Sequence, residues 1–399
     1  MNLETIQSAL REQQVDAWLF YDHHHRDPIA YRILGLSESL LITRRWYYLI
    51  PAEGEPSKLV HRIEQSRLDA LPGSKRVYSS WQELDRELAE MLASSKRIAM
   101  QYSPRNAIMY VSLVDAGTVE RLRELGKTIV SSADLVSRFE AVLTPEQIAS
   151  HYQAQALIDE ILAAAWKEIG TRLRQPEHSQ SKATANAKLT EYDMVVWLQE
   201  AMERAGLLWD HPPDVSVNAN SSDSHYQPTP ALAKPIRHGD FLLIDLWGRL
   251  NRPGTCFYDI TWTGVVGREP SDREQQVFKT VVDARDAAIH VVQEAFRSDT
   301  TLAGWQPDDA ARAVIRAAGF ADYFTHRTGH SIATELHGNG ANLDNLETHD
   351  ERKILPRTCF SVEPGIYLPE FGVRSEVNMI TEAGKAVVTG RVQRELIRI

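Results

Sequence analysis

Residues 241–267 read FLLIDLWGRLNRPGTCFYDITWTGVVG, and the fold of the chain turns on how this stretch is interpreted. FLLIDL and CFYDITWTGVV both have strand character, with aliphatic, aromatic and β-branched residues bounded by turn formers. Each carries an aspartate, Asp245 and Asp259, at a position where a strand is ordinarily buried. A buried carboxylate without a partner is expensive. Two of them on neighbouring strands predict compensating cations.

Working outward, the second half alternates helical stretches (LTEYDMVVWLQEAMERAG, SDREQQVFKTVVDARDAAIHVVQEAF, PDDAARAVIRAAGF) with strand runs (VSVNA, CFSVEP, EVNMITEAG). Short connections late in the chain predict a mixed, largely antiparallel sheet with helices packed on it, an α+β domain. Upstream, VDAWLFYD, SLLITRRWYYLI and KRIAMQY read as strands, with TIQSALREQQ and WQELDRELAEMLASS as helices. That alternation predicts a separate α/β domain. The join falls at LTPEQI, where Thr144 is an N-cap, Pro145 the first helical residue and Gln147 the capping-box partner. The expected domains are 1–143 and 144–399. The polar RQPEHSQSKATANAKLT, 174–190, reads as a loop before a helix.

Lys and Arg number 44 against 54 Asp and Glu, a net charge of −10, which disfavours nucleic acid as a partner. No run is apolar enough for a membrane span or signal peptide, so a cytoplasmic protein is expected. Cys256 and Cys359 lie far apart in apolar runs and read as free buried thiols.

Metal-type ligands recur beyond the two aspartates. HRTGHSIATELHG supplies His326, His330 and His337, CFSVEPGIY supplies Glu363, and FGVRSEVNMIT supplies Glu376. Singly, each is more often a satisfied buried group than a ligand. Together they run D, D, H, E, E, and a purely structural reading needs every one compensated separately. Carboxylate oxygens with an imidazole suit Mn, Co or Zn. The charge of four carboxylates matches two divalent ions.

The segments IDLWGRLNRPGTCFYDIT, HRTGHSIATELHG, SVEPGIY and VRSEV resemble the metal-binding segments of the pita-bread metallopeptidases, the group of methionine aminopeptidase, aminopeptidase P and prolidase. The first domain is similar to that of the prolidase, aminopeptidase P and creatinase branch, and LTPEQI to the start of its catalytic domain. The resemblance implies a pita-bread catalytic domain after a creatinase-like α/β domain, and two divalent metal ions (Mn, Zn or Co). It implies Asp245, Asp259, His330, Glu363 and Glu376 as ligands, with Asp259 and Glu376 bridging. His337 and His225 would contact substrate or the developing tetrahedral centre, His326 would line the pocket, and Arg374 would support the site from the strand face of Glu376. Glu363 would also move the proton of a metal-bridging hydroxide. The implied function is Xaa-Pro dipeptidase (prolidase) on small proline-containing peptides, as a homodimer. Alternatives are aminopeptidase P acting on longer peptides, a creatinase-like amidinohydrolase and a non-catalytic relative. Trp247, Arg327 and Ala333 stand where the family commonly has glycine, and Trp262 where it has arginine.

YDHHHRDP, 21–28, offers a rival cluster, but consecutive strand residues face opposite ways and rarely chelate one ion. It reads as a polar strand-end loop that could line a substrate entrance. Trp46, Tyr47 and Tyr48 read as core or interface, and Trp197 as amphipathic helix packing.

Overall fold

The computed structural model describes residues 2–174 and 189–399; most of the loop expected at 174–190 lies outside the described residues. The chain divides into two compact units, Met1–Glu140 and Ala141–Ile399.

The first unit is a six-stranded mixed sheet in the order β4-β3-β2-β1-β5-β6. Its strands are β1 (Ala17–Asp22), β2 (Trp46–Pro51), β3 (Ser57–His61), β4 (Ser74–Tyr78), β5 (Arg97–Met100) and β6 (Thr128–Ser131). Its helices are α1 (Leu3–Glu12), α2 (Pro28–Leu34), α3 (Trp81–Met91), α4 (Ala116–Glu124) and α5 (Ala133–Val136). Both sheet faces are covered, which is why the strands read as unbroken apolar runs: Trp18, Phe20, Trp46 and Tyr48 join one core, Leu19, Tyr21, Tyr47 and Leu49 the other.

SLLITRRWYYLI is a strand only from Trp46. Upstream, the N–H groups of Thr43 and Arg44 donate to the Glu64 carboxylate at 2.9 and 3.2 Å instead of to a neighbouring strand. The histidine run is a loop organised by Asp22, which accepts the N–H groups of His25, Arg26 and Asp27 and the Tyr31 hydroxyl, at 2.7–3.2 Å. His25 stacks near Tyr31 and its Nε2 bonds the Leu40 carbonyl at 2.7 Å. The His25 imidazole is spent on loop structure.

The second unit opens with α6 (Pro145–Arg174), capped reciprocally by Thr144 and Gln147, and α7 (Glu191–Arg204). Next come β7 (Leu207–Leu208), β8 (Asp214–Val217), β9 (Phe241–Leu250), β10 (Tyr258–Val265), α8 (Asp272–Arg297), α9 (Trp305–Ala317) and β11 (Ser331–Ile332). The remaining strands are β12 (Cys359–Val362), β13 (Gly365–Tyr367), β14 (Gly372–Arg374), β15 (Val377–Glu382), β16 (Lys385–Thr389) and β17 (Ile397–Arg398). One sheet runs β17-β10-β9-β7 with β8 also on β9, another runs β11-β12-β15-β16, and β13 pairs with β14. All pairings here are antiparallel except β10 with β17.

The pleat of β9 and β10 settles the opening stretch. Leu242, Ile244, Leu246, Tyr258 and Ile260 pack in the core shared with α6 and α7. The alternate residues, Asp245, Trp247, Asp259 and Thr261, therefore point to the other side. Trp262, directly opposite Ile244, faces the helices and not the aspartates. Both cysteines are free and buried.

The segment carrying His330 is clamped by Asp308 on α9. This buried carboxylate accepts from Thr328 N (2.9 Å), Thr328 Oγ1 (2.6 Å), Asn345 N (2.8 Å) and Arg312 Nε (2.6 Å). Gly329 then passes so close to β12 that a Cβ would lie 1.9 Å from the Ser361 carbonyl oxygen. Asp308→Ala takes the ion-pair partner from Arg312 and the acceptor from the donors of the loop, and should cost about 3–5 kcal/mol in urea unfolding. A loss below roughly 1 kcal/mol, the scale of an exposed pair, would show that the clamp is dispensable.

Candidate metal centre

Residues directly opposite in an antiparallel ladder share a face. The ladders place Asp214 opposite Asp245, Thr261 opposite Asp245 on the other side, and Trp247 opposite Asp259. Acidic and polar groups thus gather on one face of β8–β10. β11, β12 and the β14–β15 junction bring the rest.

His330 precedes β11, and its backbone N–H donates to Ser361 Oγ at 2.9 Å. Its Nε2 lies 3.5 Å from Asp259 Oδ2 and 3.4 Å from Glu363 Oε1. Ligand atoms of Asp259, His330 and Glu376 all fall within 4.8 Å of one another. Glu376 Oε2 accepts from Thr261 Oγ1 at 2.8 Å, and Glu363 Oε1 from Ser361 Oγ at 2.9 Å. Asp245 joins through Arg374, whose Nη2 donates to Asp245 Oδ2 at 2.5 Å, Nε to Thr261 Oγ1 at 3.0 Å and Nη1 to the Tyr367 hydroxyl at 3.0 Å.

Arg374 and Glu376 do not share one strand, as period-two spacing suggested. Arg374 ends β14 and Glu376 precedes β15. The chain is hooked between them: Glu376 N donates to the Thr261 carbonyl at 3.2 Å, and Ser375 Oγ accepts from Arg285 at 2.7 Å. This delivers Glu376 to β10.

Four carboxylate oxygens on this face, Asp214 Oδ1, Asp245 Oδ1, Asp259 Oδ1 and Glu376 Oε1, are buried without a hydrogen-bond partner. Native proteins rarely leave such atoms unpaired. Ligands about 2.1 Å from a common ion stand roughly 3–3.5 Å apart, close to the His330 separations. The donor set fits divalent cations. Without one, burial and then the neighbouring carboxylates push Asp259 and Glu376 well above the usual carboxylate range. Burial also raises Asp214 and Glu363, with His330 and Arg374 opposing the shift at Glu363. Burial lowers His330, keeping its imidazole neutral and able to ligate. Burial works against the charge on Arg374 as well, but Tyr367, Asp245 and Glu363 more than offset it.

The other histidines divide. His326 is held by the Arg327 carbonyl on Nδ1 (2.6 Å) and the Tyr367 hydroxyl on Nε2 (2.7 Å). Because Tyr367 accepts from Arg374, it donates to Nε2, which fixes His326 as the Nδ1–H tautomer. Burial and the charge of Arg374 hold it down at about 3. His337 is exposed, with its ring 4.3 Å from that of His330, which lowers its pKa ahead of burial. His225 is exposed and bonds Asp223 Oδ1 through its backbone N–H. It acts on His337 electrostatically and does not join the carboxylate cluster.

Sequence reading missed Asp214 and Tyr367. Asp214 lies in VSVNA's strand, one more acidic residue interrupting a β-branched run, so the signal that found Asp245 could have found it. Tyr367 follows Glu363 in SVEPGIY, with nothing in its spacing to mark it.

Fold and site together define an α+β protein built round a buried carboxylate and imidazole cluster suited to divalent cations. The profile of metallopeptidase family M24 matches residues 150–383, and the chain belongs to that family. It is 30% identical over 203 residues to a putative Xaa-Pro aminopeptidase of Mycoplasma genitalium, covering 50% of this chain and 53% of the relative. It is 27% identical over 266 residues to a Xaa-Pro dipeptidase of Pyrococcus furiosus, covering 66% and 67%. The crystal structure of dipeptidase PepE from Mycobacterium ulcerans superposes with a TM-score of 0.68 at 21% identity, over 99% of this chain and 96% of that one, and shares the fold. The chain spans about half the length of the first curated relatives it matches. Among the described residues no helix is long and apolar enough to cross a membrane.

The raised carboxyls set a pH dependence with a definite sign. Folded Asp259 and Glu376 hold their protons above the unfolded values of about 4, so the cation-free protein binds more protons folded than unfolded. Above about pH 6.5, where the lowered His326, His330 and His337 are neutral in the folded and unfolded chain alike, its melting temperature should fall as pH rises, and Mn²⁺ should restore it most at the high end. A melting temperature indifferent to both pH and Mn²⁺ would contradict the cluster.

Proposed function

We propose that the chain is a dinuclear-metal hydrolase cleaving Xaa-Pro peptide bonds, a Xaa-Pro dipeptidase. The observation that carries this reading is the set of orphaned carboxylate oxygens around a neutral, buried His330 in a member of family M24. Asp245, Asp259, His330, Glu363 and Glu376 would hold two divalent cations, Mn, Zn or Co. When bound, such ions supply Lewis acidity and make water nucleophilic near neutral pH.

The chain's own groups do the rest. Glu363, raised by burial and oriented by Ser361, takes the proton of the attacking water and delivers it to the proline nitrogen. That nitrogen is a tertiary amide without an N–H, and must be protonated to leave. His337, exposed above His330, and His225 supply donors to the developing oxyanion. Arg374 fixes Asp245 and, through Tyr367, holds His326 at the pocket wall. A creatinase-like amidinohydrolase or a non-catalytic relative would need none of this ligand set.

The same reading gives residues 1–143 as a creatinase-like domain and 144–399 as the catalytic domain, with the protein a cytoplasmic homodimer. Two free buried thiols agree with a reducing compartment. The relatives include both dipeptidases and aminopeptidases, and the expected preference is for the free dipeptide. Protein reloaded with Mn²⁺ or Zn²⁺ should hydrolyse Ala-Pro faster than Ala-Pro-Ala. The reverse order would make it an aminopeptidase, and no cleavage of either would reject the reading. Glu363→Gln should lower kcat by ~10²–10⁴-fold, the usual share of a general acid–base group. Undiminished kcat would remove Glu363 from proton transfer.

A further inference from the structure

Trp247 stands on the same face of β9 as Asp245 and directly opposite Asp259. Its ring is half-buried and packs against the cluster that contains Phe257 and Leu336, the residue before His337. The indole N–H, the ring's sole donor, is given to Asp210 Oδ1 at 2.7 Å. Asp210 Oδ1 also accepts the His211 backbone N–H at 2.9 Å. Oδ2 has only the His211 imidazole nearby, at 3.5 Å, and the Asp210 side chain is 40% exposed. Among the described residues no Lys or Arg pairs with Asp210. The result is a solvent-reachable carboxylate, held in place by neutral donors, at the edge of a face already crowded with acid.

The bland alternative is a loop carboxylate retained for its hydrogen bond to Trp247. That role needs an acceptor at Oδ1 and no charge. A carboxylate whose Oδ2 meets the exposed His211 imidazole at 3.5 Å, tied to the site face through Trp247, suits a cationic ligand group. On the peptidase reading above, on which this inference rests, a dipeptide carries one such group, the α-ammonium of its first residue. It is separated from the scissile carbonyl by a single carbon.

We propose that Asp210 receives the α-ammonium of the substrate and that the Trp247 indole forms the adjoining wall against the first side chain, so that this pair selects peptides with a free N-terminus. Trp247 positions Asp210 by its N–H and does not itself enter the chemistry.

The test compares Ala-Pro as substrate with propanoyl-proline, the same skeleton without the ammonium, as competitive inhibitor. In Asp210→Asn the amide oxygen can still accept from Trp247, and only the charge is lost. Losing one charge-assisted contact should raise KM for Ala-Pro roughly tenfold, with kcat within about threefold and Ki for propanoyl-proline within about twofold. Asp210→Glu should recover most of the lost affinity. An unchanged KM for Ala-Pro would overturn the assignment. So would a Ki for propanoyl-proline that rises in step with KM, which would indicate a damaged pocket. If the wild-type protein cleaves no Xaa-Pro peptide, the peptidase reading itself fails and takes this inference with it. If wild type cleaves and Asp210→Asn matches it, only the role of Asp210 falls.

Discussion

Repulsion among carboxylates in a dry interior is the constraint to which the rest of the second unit answers. Buried Asp214, Asp259 and Glu376 and partly exposed Asp245 and Glu363 are brought together round His330, where water screens them poorly. Arg374 neutralises one edge of this charge and at the same time aims Asp245, Thr261 and Tyr367. Asp214, Asp245, Asp259 and Glu376 each still keep one buried oxygen without a hydrogen-bond partner. On the proposed reading, bound cations would offset this repulsion.

The scaffold holds these side chains at several independent points, so no single strand fixes the cluster. β9 and β10 set Asp245 and Asp259 through their shared register, the Asp308 clamp and Gly329 set His330, and the hook from Glu376 to Thr261 brings in the last carboxylate. Rigid elements with satisfied backbone groups let charged side chains stay close without collapsing onto one another. His337 and His225 are the exception, both lying exposed.

Much of this was legible in the chain. An aspartate inside FLLIDL and another inside CFYDIT are anomalies only if those segments are buried strands, and the pleat makes them so, with Leu242, Ile244 and Leu246 toward the helices and Asp245 toward the centre. The capping box at Thr144 and Gln147 marked the start of α6 for the same local reason that it forms. What escaped depends on tertiary partners. SLLITRR has strand composition, but Glu64 captures its N–H groups. Arg374 and Glu376 have strand spacing, but the chain leaves one sheet for another between them. Trp247 and Trp262 look alike as departures from the family pattern, yet opposite registers send one to the site face and the other to the helices.

The account stands most directly on the number of ions that these residues hold. Mn²⁺ bound per chain should be counted after equilibrium dialysis, for the wild-type protein and for Asp259→Asn, with both confirmed folded by circular dichroism. Two ions per chain in the wild type, and at least one lost in the variant, is the predicted result. Wild-type protein that retains no Mn²⁺, Zn²⁺ or Co²⁺, or Asp259→Asn that still retains two ions, would contradict it.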